Sequence, residues 1–386
     1  MPSGKAKEAR AYGGPSRYVQ GPGEIRNLPR FAAQYGNDVL VLIDGFLIES
    51  YREKIRALFN ENGMNAWVVE FPGICSQKAL NDLIAYCKSL PKIPDTFIGI
   101  GGGQTCDLNK AAGATFRKAF INVPSALSTD APTSTHSVIN GEGMNRLMVH
   151  YKNADYVVVD TEITVDAPIE LFISGIGDAL ATYVEARASF ANNNVCNAGG
   201  GDYRPTLCGM AIAKLSYDVL MEKGRDAVLA ARNHLRTAAY EDVAEATVLL
   251  SGLGFECTGA AIAHALQAGF YVLPKEILHG TGVGYGTLVQ LLMENDGEMF
   301  REAFSFCDDV GLPVCTADLG LTDENRNEYI EKLVDAVYGK RWNLLNMPFH
   351  VSREALIDAI KYLDCYAARN KKRQSPAVVT ESNNNA

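Results

Sequence analysis

The feature that most narrows the folds open to this chain is an asymmetry between its two halves. Through the first 165 residues, short and nearly continuous apolar runs alternate with amphipathic stretches; beyond residue 168 those runs all but vanish, and long Ala-, Leu- and Glu-rich stretches replace them. Runs apolar on both faces belong to a parallel sheet covered on both sides. Five are predicted as strands: 38–43 (DVLVLI), 65–70 (NAWVVE), 96–100 (TFIGI), 119–123 (AFINV) and 156–160 (YVVVD). Helices are predicted between them over 49–62, 77–89 and 106–115. Residues 1–165 therefore read as an α/β nucleotide-binding domain. Residues 166–370 read as an all-α domain, entered through the Asp166-Ala167-Pro168 turn, with helices over 176–191, 206–222 and 241–267. The last stretch, 371–386, is charged and then polar, and is expected to be a disordered tail.

Composition removes several classes of partner. With 36 Lys plus Arg against 45 Asp plus Glu, the formal charge is −9, so no basic surface is implied for nucleic acid or an anionic membrane. Nine cysteines, scattered without a CxxC pair, read as free thiols in a reducing compartment. No apolar stretch follows the basic N-terminal residues, so a cytoplasmic location is expected. The weakly polar stretch 247–273 is long enough to span a membrane, but Glu256, His264, Gln267 and its glycines interrupt it, and a helix buried in a protein core is expected there.

Two features of the first half point to a nucleotide. TFIGIGGGQT (96–105) runs a buried strand into Gly101, Gly102 and Gly103, after which Thr105 and Asp107 open a helix; such a loop either brings backbone amides and a helix N-terminus to a diphosphate or makes a tight turn. Asp44 ends the first strand, where a carboxylate can take the ribose hydroxyls of NAD and repel the 2′-phosphate of NADP, or can be a solvated turn residue. In the second half, His264 lies on an otherwise apolar stretch (AAIAHALQAG), His279 lies among glycines (ILHGTGVGYGT), and Asp178 opens an Ala-rich apolar helix. A lone buried histidine can be a satisfied core residue, but a carboxylate and two imidazoles also make a three-ligand set for a divalent metal with one position left for substrate.

Taken together, STDAPTS (128–134), GIGDALATYVEARA (175–188), LSGLGFE (250–256), AAIAHALQAG (260–269) and the HG…GT segment at 279–287 resemble the glycerol dehydrogenases of the iron-containing alcohol dehydrogenase superfamily, related in fold to dehydroquinate synthase. Further matches run from SRYVQGPG (16–23) to LLNMPFHVS (344–352), so the resemblance spans essentially the whole chain. It implies NAD on the N-terminal domain, a helical C-terminal domain, and a metal, usually zinc, between them. It assigns the metal to Asp178, His264 and His279, a substrate contact to Asp130, and cofactor contacts to Gly101, Gly102, Gly103, Thr105, Asp107, Ser125 and Ser134. It also implies a homo-oligomer, often an octamer. Asp130 can alternatively be a turn or cap residue before Ala131-Pro132.

Departures from the family pattern bear on the substrate. Gln104 stands where a lysine is usual, Thr281 and Gly282 replace an acid and a base after His279, and STHSVIN (134–140) brings in His136 and Asn140, expected beside the nicotinamide. Thr281 and Gly282 are expected to leave room beyond His279. The parts imply a metal acting as a Lewis acid on a substrate hydroxyl, with hydride passing to nicotinamide C4. Two neighbouring hydroxyls would chelate, favouring glycerol or another vicinal diol. The rivals are a dehydrogenase of the same fold for another polyol, a 2-hydroxy acid or an aldehyde, and a catalytically weakened NAD-binding homologue.

Overall fold

The five apolar runs all become strands of one sheet, because each can bury both faces only between two helical layers. The computed structural model describes residues 8–141, 146–340 and 343–371; the tail expected at 371–386 lies, beyond Lys371, outside the described residues. The strands are β1 (Arg17–Gly21), β2 (Asp38–Ile43), β3 (Asn65–Glu70), β4 (Thr96–Gly101), β5 (Ala119–Pro124), β6 (His136–Ile139), β7 (Arg146–Val149) and β8 (Tyr156–Asp160). Six of them form a parallel sheet in the order β1-β8-β5-β4-β2-β3. The period-2 geometry of a strand sorts the side chains: Val39, Val41 and Ile43 pack with helix Gly45–Glu61 on one face, while Leu40 and Leu42 pack with helices Gln77–Ser89 and Gly103–Thr115 on the other.

β1 and the antiparallel hairpin β6–β7 carry no clear signal in the sequence. β1 is a short, half-buried edge strand, and the hairpin is two strands of four residues, with Val138, Leu147 and Val149 exposed. Isolated pairs of this kind hold only when something else anchors them.

After β8 the described residues form helices and loops. Helix Ile169–Ala191 starts behind Pro168, as the turn at 166–168 predicts, and packs against the helices Leu207–Arg232 and His279–Met293. The single buried helix expected over 247–273 is not formed. A π-helical turn, Ala246–Leu250, leads into Ser251–Cys257; the chain then breaks at Thr258, with Gly259 at φ +134°, and resumes as Ile262–Gln267. Only glycine adopts that backbone readily, so the break is written at one residue. No single helix among the described residues is long and apolar enough to cross a membrane; one pair, Ala238–Thr258 with Ile262–Val272, passes by length and composition only, bent by 100°.

The first described residues pack on the helical half although they precede β1. Ala11 N donates to Arg204 O at 3.3 Å, Arg204 N to Ala9 O at 3.0 Å, and Cys257 Sγ to Gly13 O at 3.3 Å. One hydrophobic cluster, from Leu40 to Ala367, runs through both halves.

Candidate active site

β2 and β4 are neighbours whose following helices leave on opposite faces of the sheet, so a crevice opens between their C-terminal ends, the place where open α/β sheets bind ligands. Sequence-predicted residues form both its walls. Asp44 Oδ1 accepts from Phe46 N at 3.0 Å and caps helix Gly45–Glu61, while Oδ2 accepts from Thr105 Oγ1 at 3.2 Å. A Cβ on Gly101 would stand 2.5 Å from Thr105 Oγ1 and 2.9 Å from Asp44 Cβ, so only glycine lets the two walls approach. Gly102 faces open space and is the N-cap of helix Gly103–Thr115, with no side chain capping it. The helix therefore starts three residues earlier than predicted, and its uncapped amides and positive end fit a diphosphate.

Other predicted cofactor contacts are placed differently. Ser125 N donates to Gly101 O at 3.0 Å, which keeps Ser125 at the crevice. Ser134 is buried; its hydroxyl lies 3.3 Å from both Ala131 O and Lys110 Nζ. Asp107 turns away from the crevice: one carboxylate oxygen lies 3.0 Å from Lys110 Nζ and the other accepts from Val138 N at 2.9 Å. Lys110, wholly buried, also donates to Ala131 O at 2.6 Å and to His136 O. Asp107 and Lys110 thus fasten loop 130–138 and the β6–β7 hairpin to the glycine-loop helix. Asp107 is an anchor for the hairpin, with Oδ2 taken by Val138 N and Oδ1 paired in charge with Lys110. Lys110, in a helix that reads as ordinary, was missed.

Asp178, His264 and His279 converge as predicted, with their ligand atoms all within 4.8 Å of one another. Asp178 Oδ1 lies 3.6 Å from His264 Nε2 and 3.4 Å from His279 Nε2. Close helix packing brings them together. A Cβ on Gly177 would stand 2.3 Å from Gly280 O, one on Gly280 1.9 Å from Ser174 O, and one on Gly175 1.8 Å from Leu127 O. Glycines therefore seat helix Ile169–Ala191 directly against the start of helix His279–Met293 and against loop 127–130. Burial would raise the Asp178 carboxyl, but the two imidazoles outweigh it and hold it well below the usual carboxylate range. Burial would likewise lower His264, but Glu185 and Asp178 hold it well above its usual value. One buried anion shared by two imidazoles is a donor set suited to a divalent metal.

Glu185, which sequence reasoning passed over, is fully buried with Oε2 2.5 Å from His264 Nδ1. Its spacing from Asp178, seven residues or two helical turns, was the available signal, since it puts both acids on one helix face.

Thr129 links the two parts of the site. Its methyl fills the place a Cβ on Gly103 would need, at 2.8 Å, and its hydroxyl donates to Asp178 Oδ2 at 3.0 Å. Beside it, Asp130 Oδ2 accepts from Ser251 Oγ at 2.9 Å, and Ser251 in turn meets Thr182 Oγ1 at 2.9 Å. Burial and the charge of Asp178 push the Asp130 carboxyl up to about 7. A capping role for Asp130 finds support only in its backbone carbonyl, which accepts from Thr133 N at 3.1 Å and Thr133 Oγ1 at 2.9 Å.

The departures sort themselves in space. Gln104 Oε1 accepts from Cys75 N and from Asn140 Nδ2, both at 3.0 Å, so two of them are hydrogen-bonded to each other. His136 is buried, and burial with the nearby Lys110 charge lowers it to about 4. Gly282 does not open space: a Cβ there would stand 2.8 Å from the Phe270 ring, so glycine is required for packing. Thr281 lines a separate cavity of about 440 Å³ with Leu278, Lys275 and Asp318.

The sequence profile of the family described as iron-containing alcohol dehydrogenase matches residues 15–161. A glycerol dehydrogenase of Citrobacter freundii is 35% identical, with 91% of this chain and 96% of that protein covered. Another, from Thermotoga maritima, is 36% identical over 92% of this chain and 97% of its own length. Among solved structures, a probable glycerol dehydrogenase from Sinorhizobium meliloti 1021 superposes with a TM-score of 0.86 at 34% identity, covering 93% of this chain and 99% of that one. With matches of this extent added to a dinucleotide crevice that opens onto an Asp-His-His cluster, the chain belongs to the iron-containing alcohol dehydrogenase family.

Proposed function

We propose that the protein oxidises glycerol or a related vicinal diol to the hydroxy-ketone, reversibly, with NAD as hydride acceptor and a divalent metal held by Asp178, His264 and His279. The observation that carries this reading is the Thr129 bridge, which puts the glycine loop and the metal cluster within one side chain of each other. A bound metal would supply Lewis acidity to a substrate hydroxyl, and NAD the hydride acceptor. The chain's own residues do the rest. The Gly101–Gly103 loop and the helix end behind it bind the diphosphate. Asp44 takes the ribose and disfavours a 2′-phosphate. Asp130, its Oδ2 fixed by Ser251, offers Oδ1 to a second substrate hydroxyl.

A diol is favoured over a hydroxy acid because Lys110, the cation on the glycine-loop helix, is enclosed and spent on Asp107 and loop carbonyls, leaving it no part in binding a substrate carboxylate. The family resemblance and the stripe of exposed leucines on helix Leu207–Arg232, including Leu215 and Leu229 four turns apart, support a homo-oligomer. Nine unpaired thiols support a cytoplasmic setting.

The test is NADH formation over a panel of glycerol, propane-1,2-diol, glycolaldehyde and a 2-hydroxy acid, with bound zinc measured in parallel for wild type and His264→Ala. Turnover of diols that falls with metal content supports the reading. Full zinc occupancy and full activity in His264→Ala would reject the metal assignment, and preference for the hydroxy acid would reject the substrate.

A further inference from the structure

We infer that Glu185 is a positioning residue that fixes the ring-nitrogen state of His264, so that Nε2 presents a lone pair to the metal; this rests on the reading that Asp178, His264 and His279 hold one. An imidazole can ligate through either nitrogen, and which one is free depends on what the other is bonded to. Here one carboxylate makes that choice and fixes the ring's position as well. Glu185 Oε2 lies 2.5 Å from His264 Nδ1. Its Oε1 accepts from Ala261 N at 2.7 Å and from His264 N at 3.0 Å, the free amides at the start of helix Ile262–Gln267. The same side chain that caps the helix therefore also orients the ring mounted on it.

The chemistry of the acceptor decides the tautomer. A carboxylate only accepts, so the Nδ1 it touches keeps its hydrogen, and Nε2, 3.6 Å from Asp178 Oδ1, is the nitrogen left to give its lone pair to a bound metal. Glutamine at 185 cannot satisfy both demands. With its oxygen on the two backbone amides, its NH2 group faces Nδ1 and stabilises the tautomer with hydrogen on Nε2, which cannot ligate. If the amide flips, the NH2 group faces two N–H donors. Either arrangement sets a hydrogen-bond conflict around a fully buried side chain.

The experiment titrates Zn²⁺ into metal-stripped protein against a chromophoric chelator for wild type, His264→Ala, Glu185→Gln and Glu185→Ala. A wild type that binds no zinc, or a His264→Ala that binds as tightly as wild type, sinks the underlying metal assignment. With that assignment standing, Glu185→Gln should weaken zinc by about ten- to a hundredfold; equal affinity for wild type and Glu185→Gln overturns the inference. A purely structural carboxylate is separated by a spectroscopic signature. In the cobalt-loaded protein the Nδ1–H of His264 should give a hyperfine-shifted, slowly exchanging proton resonance that moves or exchanges faster in Glu185→Gln. If the variant does not fold, the wild-type resonance decides alone: a fast-exchanging or missing signal from His264 overturns the inference.

Discussion

Replacing Gly177 by alanine tests whether helix packing sets the spacing of the metal ligands. The added Cβ would stand 2.3 Å from Gly280 O and 2.9 Å from Leu312 Cδ2. A leucine methyl can swing aside, but the carbonyl belongs to the first turn of helix His279–Met293, so the helix itself must retreat. Reaching an ordinary contact of 3.4 Å opens the approach by about 1 Å. Alanine gains about 1 kcal/mol of helix propensity over glycine, and overpacking a close contact costs about 1–3 kcal/mol, so a net loss of up to about 2 kcal/mol of stability is expected. The larger effect falls on the site. Asp178 follows Gly177 on one helix and His279 precedes Gly280 on the other, while coordination distances tolerate only about 0.2 Å. Zinc affinity should fall by roughly tenfold or more. Gly339→Ala, in helix Arg326–Lys340 where a Cβ meets nothing within 4 Å, is the comparison that should leave zinc binding untouched. Chelator competition reads the affinity and urea unfolding of metal-stripped protein reads the stability. Unchanged zinc affinity in a Gly177→Ala protein that has lost stability would show that the glycine contact does not hold the ligands in place.

Asp44→Ser keeps an acceptor for the Phe46 amide and so keeps the helix cap, while removing the charge and the Oδ2 contact with Thr105; the preference for NAD over NADP should narrow by about 1–3 kcal/mol in steady-state kinetics with the two cofactors. His136 is depressed to about 4 in the folded protein against an ordinary value near 6.5, so the unfolded chain binds the extra proton between those pH values. Its contribution to stability is complete above pH 6.5 and is lost as pH falls toward 4, by up to about 1.4 kcal/mol per unit, so unfolding midpoints of His136→Leu should show a flatter acid limb than wild type. Lys110→Met strands the buried Asp107 carboxylate and should cost about 3–5 kcal/mol in urea unfolding, part of which returns when Asp107→Asn is added.

The α/β half was legible because its information is local. A strand buried on both faces must be apolar at every position, and the five runs from 38–43 to 156–160 became β2, β3, β4, β5 and β8 with bounds matching to within a residue. The Asp178, His264 and His279 cluster was legible for a related reason: a histidine in an apolar run and an aspartate in an Ala-rich one stand out against what burial allows, although Asp178 sits inside helix Ile169–Ala191 rather than at its start. Elements whose stability comes from elsewhere were not legible. β1 and the β6–β7 hairpin are too short to hold alone, and the hairpin stands because Lys110 and Asp107, about thirty positions earlier, fasten its backbone. The break at Thr258–Gly259 reads in sequence as one more small residue in an apolar run, yet it turns the chain so that His264 faces Asp178. Gly282, expected to open space, is filled by the Phe270 ring, and Gln104 and Asn140, read as separate departures, share a hydrogen bond. In each case the partner is distant in sequence. Composition and periodicity report what a residue is and what its near neighbours are, while packing decides which distant backbone carbonyl, ring or carboxylate it meets.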